Sequence, residues 1–585
     1  MGFSRLREMQ VIVFLLAASV VSLFSIPNVG GVGLFLPINL AVWCMVGLLI
    51  LYTLYRIVSQ QLFYFTLGQL YLLILFILIF SVGLINNSVS KIELIIIGLG
   101  MTTVWVFYIC LSQYQINKAS FQQLLLFFCL LGLAQALISF VQINDSYSVL
   151  HEITGYFAFK FVPRPVGTFQ QVNMLSTFIA FTLIVSVYLC SLLHFKSRLY
   201  WKESLVLSTV SFSIYILLVS GSRAGLLSAI TSVMVILWLA KSDFYQNRLG
   251  LVALLVAVVL GFGLLQLFPA NVVSAGDKLS LLLSGADIRL YLYQSGWAMF
   301  LQAPFFGEGI GNYTSSLLLF SVEHPLPESL SLAKLEDFTH PHNEFLFWII
   351  QGGIVAFVLI VLFSVWVLIQ WLSRIRGSSN EHHRAWIALA LFIPFFIQSL
   401  LSYPFTLSAP HLFLFIFCLY LLLGERAIYI RLSIGHVVRY IATSFIFILS
   451  LLVLFSAWHT AQSIKEAHYF KNRYFLYESE QYRHYEDAYF EYASKNPIFR
   501  GSIKFAMNKM AEKALEQDNE YDYQKYIEWV DRNPLFKKDG LVVMNLIKIY
   551  IAWDKLALAK KVLNEHETLF QELSLYQEVN RLIEG

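Results

Sequence analysis

The chain has 585 residues, 58% of them hydrophobic and only 13% charged, with a net charge of +4 and a mean hydropathy of +0.68. That balance excludes an ordinary soluble globular protein, and a charge so small for the length gives no argument for a nucleic-acid partner. The cysteines Cys44, Cys110, Cys129, Cys190 and Cys418 all fall in apolar segments with no C-x-x-C pair, so neither a disulfide framework nor a zinc site is indicated.

Apolar runs near the length that crosses about 30 Å of hydrocarbon recur from residue 9 to residue 458, and roughly thirteen are counted. An all-α, polytopic transmembrane helical bundle follows, because lipid leaves backbone polar groups no other partner. The first segment imitates a secretory signal, but further spans follow at once and it reads as an uncleaved first helix. With Arg5 and Arg7 inside, alternation puts Arg56, Lys118 and the segments 194–203, 241–248, 373–384 and 424–439 on the same side. These hold roughly fifteen Lys and Arg against a handful in the short opposite loops, as the positive-inside bias requires. The division expected is a helical part over 1–268 with an outer loop at 144–170, a large outer loop over 269–342, helices again over 343–458, and an outer domain over 459–585.

The outer segments carry the polar residues that a membrane chain has least reason to keep. The first, "KFVPRPVGTFQQVNMLS" (160 to 176), holds Arg164, with Gln171 and Asn173 at the start of a span, where they cap the helix or face a substrate. Arg223 in "LLVSGSRAGLLS" stands where one span ends outside and the next begins, against the charge bias of that side. It reads as a solvated turn residue or as an anion clamp, since a guanidinium binds phosphate bidentately.

Arg289 opens "DIRLYLYQSGWAMFLQAPFFGEGIGNY", whose Leu290, Tyr293, Trp297 and Phe300 recur at helical spacing, as in a helix lying on the membrane surface. The glycine tail lacks the ending of a phosphate loop and reads as a turn. Next, "HPHNEFLFWIIQGG" sets His340, Pro341, His342, Asn343 and Glu344 ahead of a long apolar run that starts a helix at about 343. The histidines read as an interfacial pair, as proton acceptors, or as metal ligands with Glu344 or Glu336, though no H-E-x-x-H pattern exists.

After about 459 charges and aromatics alternate, as in soluble amphipathic helices. Asn-Pro starts at 496 and 533 give a spacing near that of helix-turn-helix repeats.

Together the outer residues fit one site. Arginines suit a pyrophosphate, a histidine suits removal of a hydroxyl proton, and Gln171, Asn173, Asn343 and Glu344 suit a sugar or an acceptor. "HPHNEFLFWIIQGGIVAF" resembles the His-Asn signature of the O-antigen ligase and polymerase superfamily, which includes the bacterial protein O-oligosaccharyltransferases that glycosylate pilins. "RPVGTFQQVNMLS" is similar to a Gly-Thr-x-x-Gln-Pro-Asn segment of that branch, with Val172 where the pattern has proline. "SGSRAG" is similar to its arginine turn, and the 287–313 segment to its loop motif, with tyrosines after the arginine in place of tryptophan. The helical end after 459 also resembles that branch.

The resemblance implies an undecaprenyl-pyrophosphate-linked glycan donor, a periplasmic pilin-like protein acceptor, and a bacterial inner-membrane location with the catalytic face and the C-terminal domain periplasmic. It implies Arg223 and Arg289 as pyrophosphate ligands, with Arg164 beside them, and His342 as base with His340 as partner. It calls for no metal and no cofactor. An O-antigen ligase or polymerase acting on a glycolipid is the nearest rival. A lipid-linked glycan transporter is another, although transporters place ionisable residues near the midplane. A non-catalytic scaffold is the third.

Overall fold

The computed structural model describes residues 23, 25, 36–85, 91–114, 118–193, 200–269, 288–324, 338, 340–377, 379–424, 427–476, 500–533 and 540–565. The first apolar run with Arg5 and Arg7, most of the segment 194–203, Glu336 and the Asn-Pro start at 496 lie outside the described residues.

In chain order the elements begin with α1 (Pro37–Gln60), β1 (Leu62–Phe65), α2 (Leu67–Ile85), α3 (Lys91–Ser112), α4 (Lys118–Asn144) and the short α5 (Val149–Thr154). There follow α6 (Val172–Leu192), α7 (Trp201–Ser220), α8 (Arg223–Leu239), α9 (Lys241–Gln246), α10 (Arg248–Leu267), α11 (Ile288–Gln302) and α12 (Tyr313–Glu323). Next come α13 (Glu344–Ile375), α14 (Ser379–Leu401), α15 (Pro404–Leu407), α16 (Ala409–Leu423), β2 (Ile428–Arg431) and α17 (His436–Leu476). The last are α18 (Arg500–Gln517), α19 (Glu520–Arg532), α20 (Gly540–Ala552) and α21 (Leu556–Glu565).

The protein is an all-α, multi-pass membrane protein. Among the described residues ten helices are long and apolar enough to cross a membrane, namely α1 to α4, α6, α7, α10, α13, α14 and α17. Two more of the apolar runs in the sequence form shorter helices, α8 with 17 residues and α16 with 15. At 1.5 Å per residue neither spans the roughly 30 Å of hydrocarbon alone. The run ending in α16 is shortened because Pro404 starts a separate turn of helix, α15, before it.

Two compact units divide the chain. Among the described residues the first holds 23, 25, 38–313 and 340–457, and the second holds 36–37, 314–324, 338 and those from Trp458 onward. At the centre of the first unit stands α6, with 94% of its apolar window buried against α4, α7, α8 and α14. It tolerates polar residues there because their hydroxyls turn back onto its own carbonyls. Ser176 donates to the Val172 carbonyl at 2.8 Å and Thr177 to that of Asn173 at 3.0 Å. Small residues let neighbours close in, as membrane packing requires. A Cβ on Gly225 of α8 would lie 2.5 Å from Cβ of Ser176, so no larger residue fits this crossing.

Helix α13 is broken at Gly353, whose φ of 61° and ψ of −163° are non-helical. A Cβ there would meet the Phe305 carbonyl oxygen at 2.3 Å. The break frees backbone groups inside the bilayer span, and the glycine turn after α11 satisfies them. Ile354 N–H donates to the Pro304 carbonyl at 2.8 Å, while Glu308 and Gly309 N–H donate to the carbonyls of Ile350 and Gln351 at 2.8 and 3.1 Å. The turn is therefore a splint for a broken helix, and it holds α11 against the N-terminal half of α13. The buried stripe of α11 is Leu292, Ser295, Gly296 and Met299, whereas Leu290 and Trp297 of the anticipated apolar stripe are exposed. The small pair Ser295 and Gly296 decides this, because it lets the helix approach Ile350.

In the second unit α18 with α19 and α20 with α21 form successive helical hairpins. Tyr526 OH donates to Asn508 Oδ1 at 2.8 Å, and Asn545 Nδ2 donates to the same oxygen at 3.2 Å, which joins α18, α19 and α20 at a buried polar point. Val543, Ile547, Ala559 and Leu563 make the apolar seam of the second hairpin.

Candidate active site

The helix start at Asn343 is the most constructed corner of the first unit. Asn343 Oδ1 accepts from Leu346 N–H at 2.9 Å, capping α13, and its Nδ2 donates to the Leu400 carbonyl of α14 at 3.0 Å. Both ends of this amide are engaged in the fold. Glu344 is buried, and its Oε1 accepts from Phe405 N–H at 3.2 Å, fastening α15 to α13.

His342 adopts φ 56°, left-handed backbone that costs a residue with a Cβ about 1 kcal/mol or more. The neighbouring cap and Tyr293, whose OH donates to the His342 carbonyl at 3.4 Å, hold it there. Tyr293 lies four residues after Arg289, so both occupy one face of α11, and Arg289 stands one helical turn from the residue that reaches the His342 backbone. His340 is buried. Its ring stacks on Tyr403 with centroids 4.9 Å apart and meets the edge of His342 at 4.5 Å. Burial, and secondly the neighbouring His342, pull its titration down to about 3. Burial, reinforced by Glu344, lifts the Tyr403 phenol well above its usual range.

A second constellation gathers at the start of α6 and α8. Ser222 caps α8 by accepting from Gly225 N–H at 3.2 Å, and its own hydroxyl donates to Asn173 Oδ1 at 3.0 Å. This bond ties the arginine turn to the 160–176 segment. Arg223 follows the cap and is exposed. Gln171 occupies the cap position of α6 without capping it through its side chain, and Val172 stands at the first helical position, where a proline would fit equally well.

The loop before it is clamped by α4. Gln142 takes Val162 N–H on its carbonyl oxygen at 2.9 Å, and Val166 and Gly167 N–H on its side-chain oxygen at 3.2 and 2.9 Å. Gln135, seven residues earlier on the same helix face, donates to Thr168 Oγ1 at 2.6 Å. Arg164 lies between these anchor points, half-buried, and its Nη2 is buried with no acceptor among the described residues.

A path of hydrogen bonds joins the two helix mouths. From Glu344 it passes to Phe405 of α15, and the chain continues to Ser408, whose hydroxyl meets Nδ1 of His411 at 2.7 Å. Nε2 of His411 faces the Met174 carbonyl at 2.9 Å, beside Asn173 and hence Ser222. A carbonyl only accepts, so His411 carries its proton on Nε2 and takes the Ser408 hydroxyl proton on Nδ1. Asn39 of α1 braces the same corner through the Leu407 carbonyl and Ala409 N–H, both at 2.8 Å.

Residues 208–361 match the family model described as O-antigen ligase. The match supports membership of the O-antigen ligase and polymerase superfamily. No curated protein matches the chain. That family implies a lipid-linked glycan substrate in a membrane context and suggests a glycosyltransferase-like ligase activity. The O-antigen ligase segment contains Arg223, Arg289, His340, His342, Asn343, Glu344 and the break at Gly353, whereas Arg164, Gln171 and Asn173 precede it.

Bonding thus links Asn173 to the Arg223 turn and Tyr293 of α11 to the His342 turn. Asn173, Asn343 and Glu344 are engaged in the fold. Gln142, Tyr403 and His411 were not singled out in the sequence. The spacing of Gln135 and Gln142 on an apolar helix was a usable signal, while Tyr403 and His411 acquire their neighbours only through tertiary packing. Among the described residues no group of three His, Cys, Asp or Glu side chains gathers that would hold a metal ion.

Proposed function

We propose that this O-antigen ligase family enzyme is a protein O-oligosaccharyltransferase of the bacterial inner membrane. It moves a glycan from an undecaprenyl-pyrophosphate carrier to a Ser or Thr hydroxyl of a periplasmic pilin-like protein. His342 takes the hydroxyl proton as the oxygen attacks the anomeric carbon, a contribution of roughly 10²- to 10⁴-fold. Arg223, Arg289 and Arg164 bind the pyrophosphate and stabilise the charge that grows on it as it leaves. Gln171 is left to contact the sugar, and the catalytic face is periplasmic. No metal or cofactor takes part.

The observation that carries this reading is the bonded path from the Glu344 mouth, which holds the histidines, to the turn that presents the exposed Arg223. A site that transfers a glycan from a departing pyrophosphate and removes a proton needs such a cation and such an imidazole held in fixed relation. The helical hairpins of α18 to α21 support a protein acceptor, being a form suited to holding a peptide.

The description of the family model favours a second reading, ligation of glycan to a glycolipid. Membranes containing the full chain, given the lipid-linked donor with either a pilin-like protein or a lipid A core acceptor, separate the two. A mass increase of one glycan on the protein is the expected result, and transfer to the lipid core alone replaces the proposal with the second reading. Single displacement also predicts inversion at the sugar carbon, which NMR of donor and product checks.

A further inference from the structure

The two imidazoles at the α13 mouth are housed differently. His340 is 7% exposed, and its ring lies almost parallel to that of Tyr403, with an interplanar angle of 18°. Tyr403 in turn packs on Phe347 of α13 with centroids 4.4 Å apart. Glu344 fixes the turn that follows Tyr403 through Phe405 N–H. These contacts wedge Tyr403 between α13 and its own loop, with His340 stacked on its face. His342 is half-buried, stands in left-handed backbone, and meets His340 edge-on with an interplanar angle of 67°.

We propose that Tyr403, His340 and Glu344 form a positioning wedge in which the Tyr403 face seats His340, and the His340 ring sets the angle of His342. His342 alone exchanges protons with the acceptor. His340 is a positioning residue, as are Tyr403 and Glu344. The assignment rests on the proposed function in one respect, that His342 does the chemistry of transfer. A Tyr403 ring face favours an imidazolium, but burial opposes one more strongly, which agrees with the low titration of His340. The titratable groups around the pair are Tyr403 with Glu344 behind it and Tyr293 from α11.

The test uses the full chain in detergent or nanodiscs with His340→Phe, His340→Ala, Tyr403→Phe and Tyr403→Leu. One readout is transfer, resolved into kcat, KM and pH profile. The other needs no substrate: diethylpyrocarbonate labelling of each histidine, followed by peptide mass spectrometry. Phenylalanine keeps an aromatic plate that cannot titrate, so His340→Phe should stay within about tenfold of wild type with an unchanged pH profile. His340→Ala and Tyr403→Leu should lose roughly 10- to 100-fold in kcat with little change in KM, the cost of a misplaced base, and Tyr403→Phe should restore it.

Labelling should tag His342 readily and His340 slowly, and Tyr403→Leu should release His340. A His340→Phe variant as inactive as His342→Ala, or His340 labelled as fast as His342 in the wild type, overturns the wedge. If the wild type transfers no glycan to any acceptor, the proposed function falls and the labelling pattern alone decides the wedge.

Discussion

Helices α8 and α13 both begin on a polar side chain that caps them, with Ser222 Oγ accepting from Gly225 N–H at 3.2 Å and Asn343 Oδ1 from Leu346 N–H at 2.9 Å. The residues after the two caps are housed differently. Glu344 is buried and bonded to Phe405. Arg223 is a cation at the positive end of its helix, a placement that costs about 0.3 to 1 kcal/mol, and it is exposed. The contrast separates two kinds of polar residue at helix starts. Glu344 serves the fold. Arg223 opposes its own helix, which is understandable where an anion docks on that helix start.

The largest effect belongs to the residue between these categories. His342→Ala leaves both caps in place, so insertion and expression should be normal while glycan transfer falls by roughly 10²-fold or more. Full activity in that variant would remove the imidazole from the mechanism. Arg223→Lys comes next. It keeps the charge but loses the bidentate fork, so transfer should fall by about tenfold or more. Arg223→Gln should also be slow, yet its melting temperature should hold or rise, because the unfavourable 0.3 to 1 kcal/mol is gone. A clear loss of stability in Arg223→Gln would mean that the arginine serves the fold after all, and the contrast with Glu344 would collapse.

Much of this was legible in the sequence, for identifiable reasons. Lipid forces backbone groups into helices, so hydropathy alone predicts the bundle, and charges that violate the inside bias stand out, as Arg223 does. The splint at Gly353 was only partly readable. Glycines mark the turn at 307–311 and the helix at 352–353, but nothing in either segment says that they pair. Asn343 carries the pattern of a helix cap, yet its second bond to Leu400 comes from a helix 57 residues away. His411 lies in an apolar run with no local partner pattern except Ser408, and its role as a strut depends on Met174, 237 residues distant. The burial of Glu344 likewise arises from α15, which follows a separate helix.

The fold side of the contrast predicts a smaller effect. Glu344→Leu leaves the half-buried Phe405 N–H without its acceptor, an expected loss of about 1 to 3 kcal/mol of stability that any substitution of Arg223 should lack. Thermal unfolding in one detergent checks both. An unchanged melting temperature in Glu344→Leu would show that α15 holds without the tether.

The smallest effect distinguishes the two mouths by pH. Arginine stays charged throughout the accessible range, so the α8 mouth should be insensitive to acid. At the other mouth burial, and secondly His342, hold His340 neutral down to about 3. An unfolded histidine titrates near 6.5. As pH falls below about 6.5 the unfolded chain takes up a proton that the folded one refuses, so stability declines until roughly pH 3, below which the loss is constant. Between pH 6.5 and 5.5 this amounts to about 1 kcal/mol for the one residue. His340→Phe cannot take that proton in either state, so its unfolding midpoint should fall less steeply with acid than that of the wild type. Parallel slopes for the two proteins would mean that His340 is protonated as easily in the folded state as in the unfolded one, and that the α13 mouth is wetter than its packing on Tyr403 implies.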